Sequence, residues 1–303
     1  MRESATPSDL PPAADVSHGA EIARRLGVAR EAAALGARVL SDHRGRLTSV
    51  AWKGAVDLVT SADTASERLV IATLAAAFPG DEIIGEEGGH AGGRDASAPA
   101  ADWVWYIDPL DGTTNFVHGL PHFAVSIGAA YRGEPVVGVI AAPALATTWY
   151  GAQGTGAFRV AHAPNGDGGS PGPAPDTTPV PIAVSTTTEL QRALVATGFP
   201  YDRIHTADSL VGPVARALAK CLCLRRLGSA SLDLAYVAEG AFGAFWEPRL
   251  KPWDYAAGVA LIREAGGRVT DLAGGRDIWS SNILATNGHL HAAFLAEVIR
   301  GGS

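Results

Sequence analysis

The chain has 303 residues, of which 47% are hydrophobic and 18% charged, and its formal net charge is −7. This length suffices for a large core, arranged as one extended α/β domain or as two lobes. The acidic balance, with no run of Lys and Arg, argues against a nucleic-acid surface, because phosphate backbones are bound by basic faces.

The apolar segments and the N-terminus bear on the location of the protein. The longest apolar runs are rich in alanine and interrupted by glycine or charge, so no membrane span is predicted. Residues 1–19 lack the apolar core of a signal sequence and are predicted to be a disordered tail. The two cysteines suggest no disulfide framework, which favours a reducing, cytoplasmic setting.

Helices and strands alternate irregularly in the first half of the chain. Apolar residues at helical spacing predict a helix over residues 20–43, and a capping box of Thr64 and Glu67 predicts another over residues 64–78. The strands predicted next are residues 82–85, 103–107, 123–131 and 135–142. The turn RGEP joins the last two of these strands, which predicts an antiparallel hairpin.

A Pro/Gly-rich insertion follows at residues 161–181, and it is too irregular for a helix or a strand. It is either a linker between two lobes or an enlarged hairpin tip, and the strand-like residues on both sides favour the hairpin tip. Beyond it, strands are predicted at 194–197, 224–228, 241–246, 267–270 and 283–287, and helices at 210–219, 230–239 and 255–265. The prediction is an α+β lobe over residues 20–160 and an α/β lobe over residues 182–303.

The stretch IDPLDGTTN places Asp108 and Asp111 three residues apart, directly behind an apolar strand. Pro109 fixes its own φ and keeps the preceding residue out of helical geometry, so we expect the chain to turn sharply here. Both carboxylates then point into one crevice at the end of the strand. Gly112 leaves room for a close approach, and Thr113 offers a hydroxyl and an N–H at a predicted helix start, which suits a phosphate. Ordinary turn chemistry accounts for Asp-Pro or Asp-Gly alone, but not for the whole string.

Further acidic residues stand at comparable positions. Glu86 lies between a strand and two glycines, and Glu247 precedes Asp254 by seven residues. Helix capping accounts locally for Asp254 and for Asp63, which both stand at predicted helix N-termini. Clustered carboxylates repel one another when desolvated, so a cation must be present if these groups meet. Carboxylates and carbonyls without a set of Cys or His select hard ions such as Mg²⁺.

The chain resembles the inositol monophosphatase family, of the lithium-sensitive, magnesium-dependent phosphatase superfamily, in six motifs: DLVTSAD, GEEGG, WYIDPLDGTTNFVHGLPHFAVSIG, VATGFPYDR, GSASLDLAYVAEG and KPWDYAAGVALIREAGG. The resemblance extends from about Ile22 to Val298, with the N-terminal tail and the Pro/Gly insertion as its two departures. It implies a mixed α+β and α/β fold, a layered α-β-α-β-α sandwich of the inositol monophosphatase and fructose-1,6-bisphosphatase type.

The resemblance also implies roles for individual residues. Two or three Mg²⁺ ions would be held by Glu86, Asp108, the carbonyl of Leu110, Asp111 and Asp254, with Asp63 at the outer edge through water or on a third ion. The catalytic residues would be Glu86, Thr113 and Asp111, the first two orienting the attacking water. The substrate would contact Asp111, Gly112, Thr113, Ala230, Glu247 and Asp254. Lys53 lies near the position of the family's mobile-loop lysine, and its role stays open.

The reaction that the resemblance implies is hydrolysis of a phosphate monoester by direct attack of a metal-activated water. Inositol monophosphate is the first candidate substrate. Fructose-1,6-bisphosphate, histidinol phosphate and 3'-phosphoadenosine 5'-phosphate are alternatives, because related phosphatases share the metal motifs. A catalytically idle, metal-binding interaction protein on the same scaffold is the alternative of a different class. The resemblance further implies a homodimer.

Other phosphatase chemistries fit less well. A cysteine nucleophile needs an arginine six residues later, which neither Cys221 nor Cys223 has, so both thiols are expected in the core. An aspartyl-phosphate mechanism of the haloacid dehalogenase type uses acids two residues apart, whereas those of IDPLD are three apart. His118 and His122 are expected to be structural or adjacent to the substrate, because hard-ion sites rarely use imidazole.

Overall fold

The structure is a computed structural model that describes residues 16–46, 50–52, 58–91, 101–162, 178–200, 203 and 206–302. The first 15 residues, Lys53 and residues 163–177 of the Pro/Gly insertion lie outside this part of the chain, so the predictions made for them stay predictions. The helices are α1 (Val16–His43), α2 (Ser61–Ala77), α3 (Thr113–Val117), α4 (Ala207–Lys220), α5 (Ala230–Ala238), α6 (Pro252–Glu264) and α7 (His291–Phe294). None of the helices in the described ranges combines the length and hydrophobicity needed to cross a bilayer.

The strands of the described residues form one large sheet, one smaller sheet and a separate hairpin. The hairpin pairs β1 (Val50–Trp52) with β2 (Leu58–Thr60). The large sheet contains β3 (Glu82–Gly85), β4 (His90–Ala91), β5 (Trp103–Asp111), β6 (Ala124–Tyr131), β7 (Glu134–Ala142), β8 (Thr147–Ala152), β9 (Gly156–Ala161) and β10 (Val180–Ile182), in the order β10-β9-β8-β7-β6-β5-β3-β4. Its neighbouring strands are antiparallel except for β3 and β5, which are parallel. The predicted hairpin of β6 and β7 is confirmed.

The smaller sheet is mixed. It contains β11 (Leu194–Thr197), β12 (Cys223–Arg225), β13 (Ala244–Glu247), β14 (Arg268–Asp271) and β15 (Ile283–Thr286), in the order β12-β11-β13-β15-β14. Strand β11 runs parallel to β12 and β13, whereas β15 is antiparallel to both of its neighbours. The carboxyl ends of β11 and β13 therefore lie at the same edge of the sheet, where α/β folds bind ligands.

Five layers pack on one another through three hydrophobic cores. Helices α1 and α2 cover one face of the large sheet, α5 and α6 fill the space between the sheets, and α4 and α7 cover the far face of the smaller sheet. Strand β13 shows the alternation that this requires, because Phe245 packs in the central core while Ala244 and Trp246 pack in the outer one. Helix α6 approaches the large sheet closely: a Cβ on Gly138 would lie 2.2 Å from the Ala257 carbonyl oxygen. The predicted α-β-α-β-α sandwich is confirmed.

Two predicted helix starts are wrong, each by a few residues. Helix α1 begins at Val16, so the last four residues of the predicted tail are helical. Helix α2 begins at Ser61, with Thr60 as its N-cap and Asp63 as the acidic partner of the capping box, so the predicted box of Thr64 and Glu67 does not form. Both Thr60 with Asp63 and Thr64 with Glu67 have the residue types of a capping box. The structure has the first pair, in which Asp63 is buried next to β2.

The strands on both sides of the Pro/Gly insertion pair with each other. Val180 lies opposite Arg159 and Ile182 lies opposite Ala157 in an antiparallel register. This pairing agrees with the hairpin-tip interpretation, and it brings the residues just before 182 into the large sheet. The division into two lobes at this point stays a prediction.

A buried ion pair joins α1 to the large sheet. Arg25 is 4% exposed and donates to both carboxylate oxygens of Asp81, at 3.2 and 2.9 Å. Trp105 Nε1 donates to the same carboxylate at 2.8 Å. The guanidinium carbon lies 4.4 Å from the centre of the Phe78 ring and 3.8 Å from that of Trp103. The charge of Arg25 is therefore balanced by Asp81 and by Glu21, which contacts Nη1 from the same helix, and two aromatic rings pack against the guanidinium.

Asp81→Ala is expected to lower the free energy of unfolding by about 3 kcal/mol, because it removes the buried counterion of Arg25 and leaves Glu21, whose side chain is 40% exposed, as the remaining partner among the described residues. Denaturant titration followed by circular dichroism measures the change. The matched control is Asp102→Ala, which breaks the exposed pair of Asp102 with Arg132 and should change the free energy of unfolding little, because solvent screens an exposed pair. Equal losses in the two variants would contradict the importance assigned to the buried pair.

Candidate active site

A cavity of about 460 Å³ lies where the end of β5 and the starts of α3, α5 and α6 meet the carboxyl ends of β11 and β13. Its size is typical of small-molecule sites. The charged residues that line it, among those described, are the carboxylates Glu86, Asp108, Asp111, Asp233, Glu247 and Asp254 and the cations Arg203, Arg226, Arg249 and Lys251. Leu110, Gly112, Thr113 and Ala230 complete the predicted residues in the lining. Among the predicted site residues that the structure describes, Asp63 alone does not line the cavity; it is buried behind the lining residues.

The two aspartates of IDPLD share one side of the sheet because of a β-bulge. The predicted sharp turn after Ile107 is wrong, since β5 continues to Asp111. Residues three apart on a regular strand point to opposite faces. Between the paired positions of Asp108 and Asp111, β5 contributes Pro109 and Leu110 while β6 contributes only one residue, and this extra residue restores a common direction.

Proline suits this bulge, because it has no N–H to leave unpaired in the ladder. Its carbonyl accepts a hydrogen bond from Ser66 Oγ of α2 at 3.0 Å. The N–H of Leu110 donates to Asp108 Oδ1 at 3.0 Å, so the first carboxylate is fixed by the same irregularity. The bulge therefore both aims the acids and anchors them.

The predicted helix start at Thr113 is confirmed. Gly112 has φ +91° and precedes α3, and a Cβ there would lie 2.9 Å from the carbonyl oxygen of His122. Only glycine fits both this backbone conformation and this contact. The hydroxyl of Thr113 lies 3.1 Å from Asp63 Oδ1 and 3.0 Å from the carbonyl oxygen of Leu110.

Helix α2 supports the site from behind through two buried acids. Asp63 accepts from Thr60 N at 2.9 Å and also meets Thr113. Burial raises the pKa of Asp63, and the hydrogen bonds from Thr60 oppose this rise. Glu67 accepts from the N–H groups of Glu87 and Gly89, at 2.8 and 2.9 Å. It thus holds the loop that carries Glu86, a role that its assignment to a capping box concealed.

Asp111 is held by the N-terminus of α5. Its carboxylate accepts from Ser229 Oγ at 2.6 Å, from Ser231 N at 2.7 Å and from Ala230 N at 3.3 Å. Burial raises the pKa of Asp111, and the hydrogen bonds from both serines oppose this rise. Ser229 and Ser231 were not among the predicted site residues; the signal in the sequence was the pair of serines at the predicted helix start in GSASLD.

The prediction that Asp254 is the N-cap of α6 is wrong. The helix begins at Pro252, so Asp254 lies in its first turn. Its Oδ2 accepts from Lys251 N at 2.7 Å. Burial and the negative charge of Glu86 raise the pKa of Asp254, and burial, Glu86 and Asp111 do the same for the pKa of Asp108. These acids therefore lie close enough to repel one another strongly.

The donor set fits a hard divalent cation. The acidic residues and the Leu110 carbonyl offer oxygen atoms, and no Cys or His is among the described residues of the lining. Within the described ranges no three acidic, Cys or His side chains already surround a single point. Two of the carboxylate oxygens accept hydrogen bonds from protein groups instead: Asp111 Oδ2 from Ser229 and Ser231, and Asp254 Oδ2 from the N–H of Lys251.

Glu247 ends β13 on the opposite wall of the cavity. Its carboxylate lies against Gly198, where a Cβ would be 1.9 Å from Oε2. Burial raises the pKa of Glu247 to about 8, and the positive charge of Arg226 opposes this rise. A buried acid at the end of a parallel strand, away from the IDPLD bulge, is suited to contacts with the organic part of a ligand.

The remaining candidates lie outside the cavity. His118 is exposed and His122 is half-buried, and neither belongs to the described lining. Burial lowers the pKa of His122 to about 4, which agrees with a structural role.

The expectation that both cysteines lie in the core is wrong for Cys223, which is exposed, while Cys221 is half-buried. The short edge strand β12 leaves alternate side chains open to solvent.

Residues 21–301 match the sequence profile of the Inositol monophosphatase family. The Nus factor SuhB of Pseudomonas aeruginosa is 40% identical over 261 residues, which are 85% of this chain and 89% of that protein. The chloroplastic phosphatase IMPL1 of Arabidopsis thaliana is 38% identical over 283 residues, 91% of this chain and 70% of that protein. The solved structure of inositol monophosphatase from Anabaena (Nostoc) sp. superposes with a TM-score of 0.77 at 37% identity, covering 92% of this chain and 97% of that one.

The five-layered fold and the acidic cavity at the bulge define a class, the phosphatases built on the α-β-α-β-α sandwich. Within that class, the match over almost the whole chain is decisive, and the chain belongs to the inositol monophosphatase family.

Proposed function

We propose that this protein is a Mg²⁺-dependent phosphate monoester hydrolase whose substrate is inositol monophosphate. The observation that carries the proposal is the meeting of Glu86, Asp108, Asp111 and Asp254, from three separate segments of the chain, in one cavity beside Thr113. A protein of net charge −7 needs bound cations to accept a phosphate dianion there. Membership of a phosphatase family supports the reaction class.

The residues that would hold two or three Mg²⁺ ions are Glu86, Asp108, the carbonyl of Leu110, Asp111 and Asp254, with Asp63 at the outer edge. When bound, Mg²⁺ supplies positive charge at the reacting phosphoryl group and lowers the pKa of water. The bulge fixes the direction of the aspartates, and Glu67 fixes the loop of Glu86.

Thr113 and Asp63 can handle the proton of the attacking water. With its own proton directed to Asp63 Oδ1, the Thr113 oxygen has lone pairs free to accept a hydrogen bond from water. Asp63 is buried, and the rise in its pKa suits a group that receives a proton. Glu86 would orient the water from the other side. Gly112 and Thr113 would present their N–H groups to the phosphate at the start of α3.

The organic part of the substrate would face Glu247, Asp254 and the backbone of Ala230. The acid at position 247 supports a substrate with hydroxyl groups, because a carboxyl group accepts from hydroxyls when ionised and can also donate to them when protonated. Fructose-1,6-bisphosphate, histidinol phosphate and 3'-phosphoadenosine 5'-phosphate are the competing substrates. Three arginines among the lining residues would suit the second phosphate of the first and the last of these.

A substrate panel with metal removal tests the proposal. We expect inositol 1-phosphate to be hydrolysed with the highest kcat/KM among these four esters in the presence of Mg²⁺. EDTA should abolish phosphate release, and added Mg²⁺ should restore it. Release that persists after complete chelation would contradict metal dependence, and a higher kcat/KM for one of the other esters would replace the substrate.

Some relatives bear the name Nus factor SuhB, and they favour a second candidate function, in which this protein also acts as a Nus factor. The phosphatase ranks first because the cavity retains its oxygen ligands and Thr113. Asp108→Asn separates the two, since a factor role that does not need catalysis would survive the substitution. The net charge supports the prediction that the chain does not bind nucleic acid itself, and a mobility-shift assay with RNA checks it.

We also propose a homodimer in the cytoplasm. Exposed apolar side chains on and just after α4, at Val211, Leu218 and Leu222, support a subunit contact. Free Cys221 and Cys223 support a reducing compartment. Light scattering after size-exclusion chromatography measures the mass.

A further inference from the structure

Asp233 is a carboxylate of the cavity that no step described so far uses. It lies in α5, is 1% exposed, and lines the cavity on the side of Glu247. Its Oδ1 is buried without a hydrogen-bond partner. A buried acceptor without a donor destabilises the fold, and more so when the group carries a charge.

The groups that face Asp233 do not satisfy it. Glu247 and Asp111 are acidic, and burial together with these two charges raises the pKa of Asp233. Arg226 is the cation on this side and offsets part of the negative charge, without an ion pair to Asp233 among the described residues. Asp111 already accepts its hydrogen bonds from the start of α5. Because Asp233 lines the cavity, a ligand bound there can supply the donor that these groups do not.

The other end of the same helix shows how this fold treats a structural acid. Glu239 accepts from Trp149 Nε1 at 2.8 Å and lies 3.6 Å from Arg159 Nη1. The fold thus provides α5 with a donor and a cation for an acid that only supports packing. Asp233 is buried more deeply, yet its Oδ1 has no donor and only the charge of Arg226 offsets it, without an ion pair among the described residues.

We propose that Asp233 is a substrate-binding residue that accepts a hydrogen bond from a hydroxyl of the polyol, beside the one bound by Glu247. This inference rests on the proposed function. Two acceptor carboxylates on one wall match the neighbouring hydroxyl groups of a polyol monophosphate. Arg226 already balances part of their charge, which favours neutral donors over a second cation. Rotation about χ2 of Asp meets little resistance, so either oxygen can turn to the ligand.

The test compares Asp233→Asn with Glu239→Gln, which makes the same change of carboxylate to amide at the supported end of α5. For Asp233→Asn, we expect kcat/KM to fall at least about tenfold more for inositol 1-phosphate than for p-nitrophenyl phosphate, which has no hydroxyl. The Tm without substrate should stay the same or rise, because a buried charge without a partner is removed. Glu239→Gln should lower the Tm and leave the ratio of the two kcat/KM values as in the parent protein.

Each other outcome overturns the inference. Equal losses on both esters, or a Tm lowered as in Glu239→Gln, would make Asp233 a structural residue. A larger loss on ethanolamine phosphate than on inositol 1-phosphate would assign the carboxylate to an ammonium group. No change in any of these quantities would remove Asp233 from recognition. Activity of the unsubstituted protein distinguishes the two failures. If it does not hydrolyse inositol 1-phosphate, the proposed function is wrong; if it does, and the variants behave otherwise than expected, only the role of Asp233 is wrong.

Discussion

Asp108→Asn is expected to lower Mg²⁺-dependent phosphate release from inositol 1-phosphate by at least about a thousandfold, because ion-based charge stabilisation contributes several kcal/mol to such a reaction. The amide keeps the shape of the side chain and removes one charge from the ligand set. Asp108 is buried beside Glu86, Asp111 and Asp254, so this change should also lessen their mutual repulsion.

Two measurements separate this effect from misfolding. The Tm in EDTA should equal or exceed that of the parent protein, and isothermal titration should show weaker Mg²⁺ binding without substrate. Asp102→Asn, at an exposed aspartate paired with Arg132, is the control and should leave phosphate release intact. A variant at position 108 that keeps most of its turnover would refute the ligand assignment.

Thr113→Ala is expected to lower kcat for inositol 1-phosphate by about a hundredfold or more, the usual contribution of a positioned proton-transfer group. The methyl group cannot link water to Asp63, whose Oδ1 lies 3.1 Å from the Thr113 hydroxyl. Since Asp63 stands behind the cavity wall, no other described contact brings it to the substrate.

Thr113→Ser is the matched control, because it keeps the hydroxyl and removes only a methyl group. Its kcat should stay within about tenfold of the parent value, while Mg²⁺ affinity should be similar in both variants. If the serine and alanine variants lost activity equally, the methyl packing rather than the hydroxyl would be what the site requires.

Local patterns predicted much of this molecule. The alternation of apolar segments placed most helices and strands, and the run IDPLDGTT marked a pair of acids and a helix start at Thr113. The helix start is confirmed, whereas the acids lie in a bulged strand and not in a loop. Five of the six acids that line the cavity, all except Asp233, were recognisable because each stands close to a glycine or a proline at the end of an element. Residue type and spacing suffice for such features, because they depend on contacts a few residues apart.

Other features depended on contacts between distant segments. Glu67 was assigned to a capping box, and only its contact with the N–H groups of residues 87 and 89 reveals that it holds the loop of Glu86. Ser229 and Ser231 look like ordinary helix-start residues until Asp111 is found to accept from both. Local sequence patterns do not show which residues from distant segments become hydrogen-bond partners in the folded chain.

The sequence by itself determined the class of the protein and the layered fold, through motifs that resemble a known family, and most of the acidic residues of the cavity, because residue types and motif order are properties of the chain. Only the tertiary structure decided how those residues act together. One extra residue in β5, seen against its partner β6, turns Asp108 and Asp111 to the same side. The burial of Asp233 without a donor likewise appears only when α5 is packed beside β13, because solvation and charge depend on every neighbour in space.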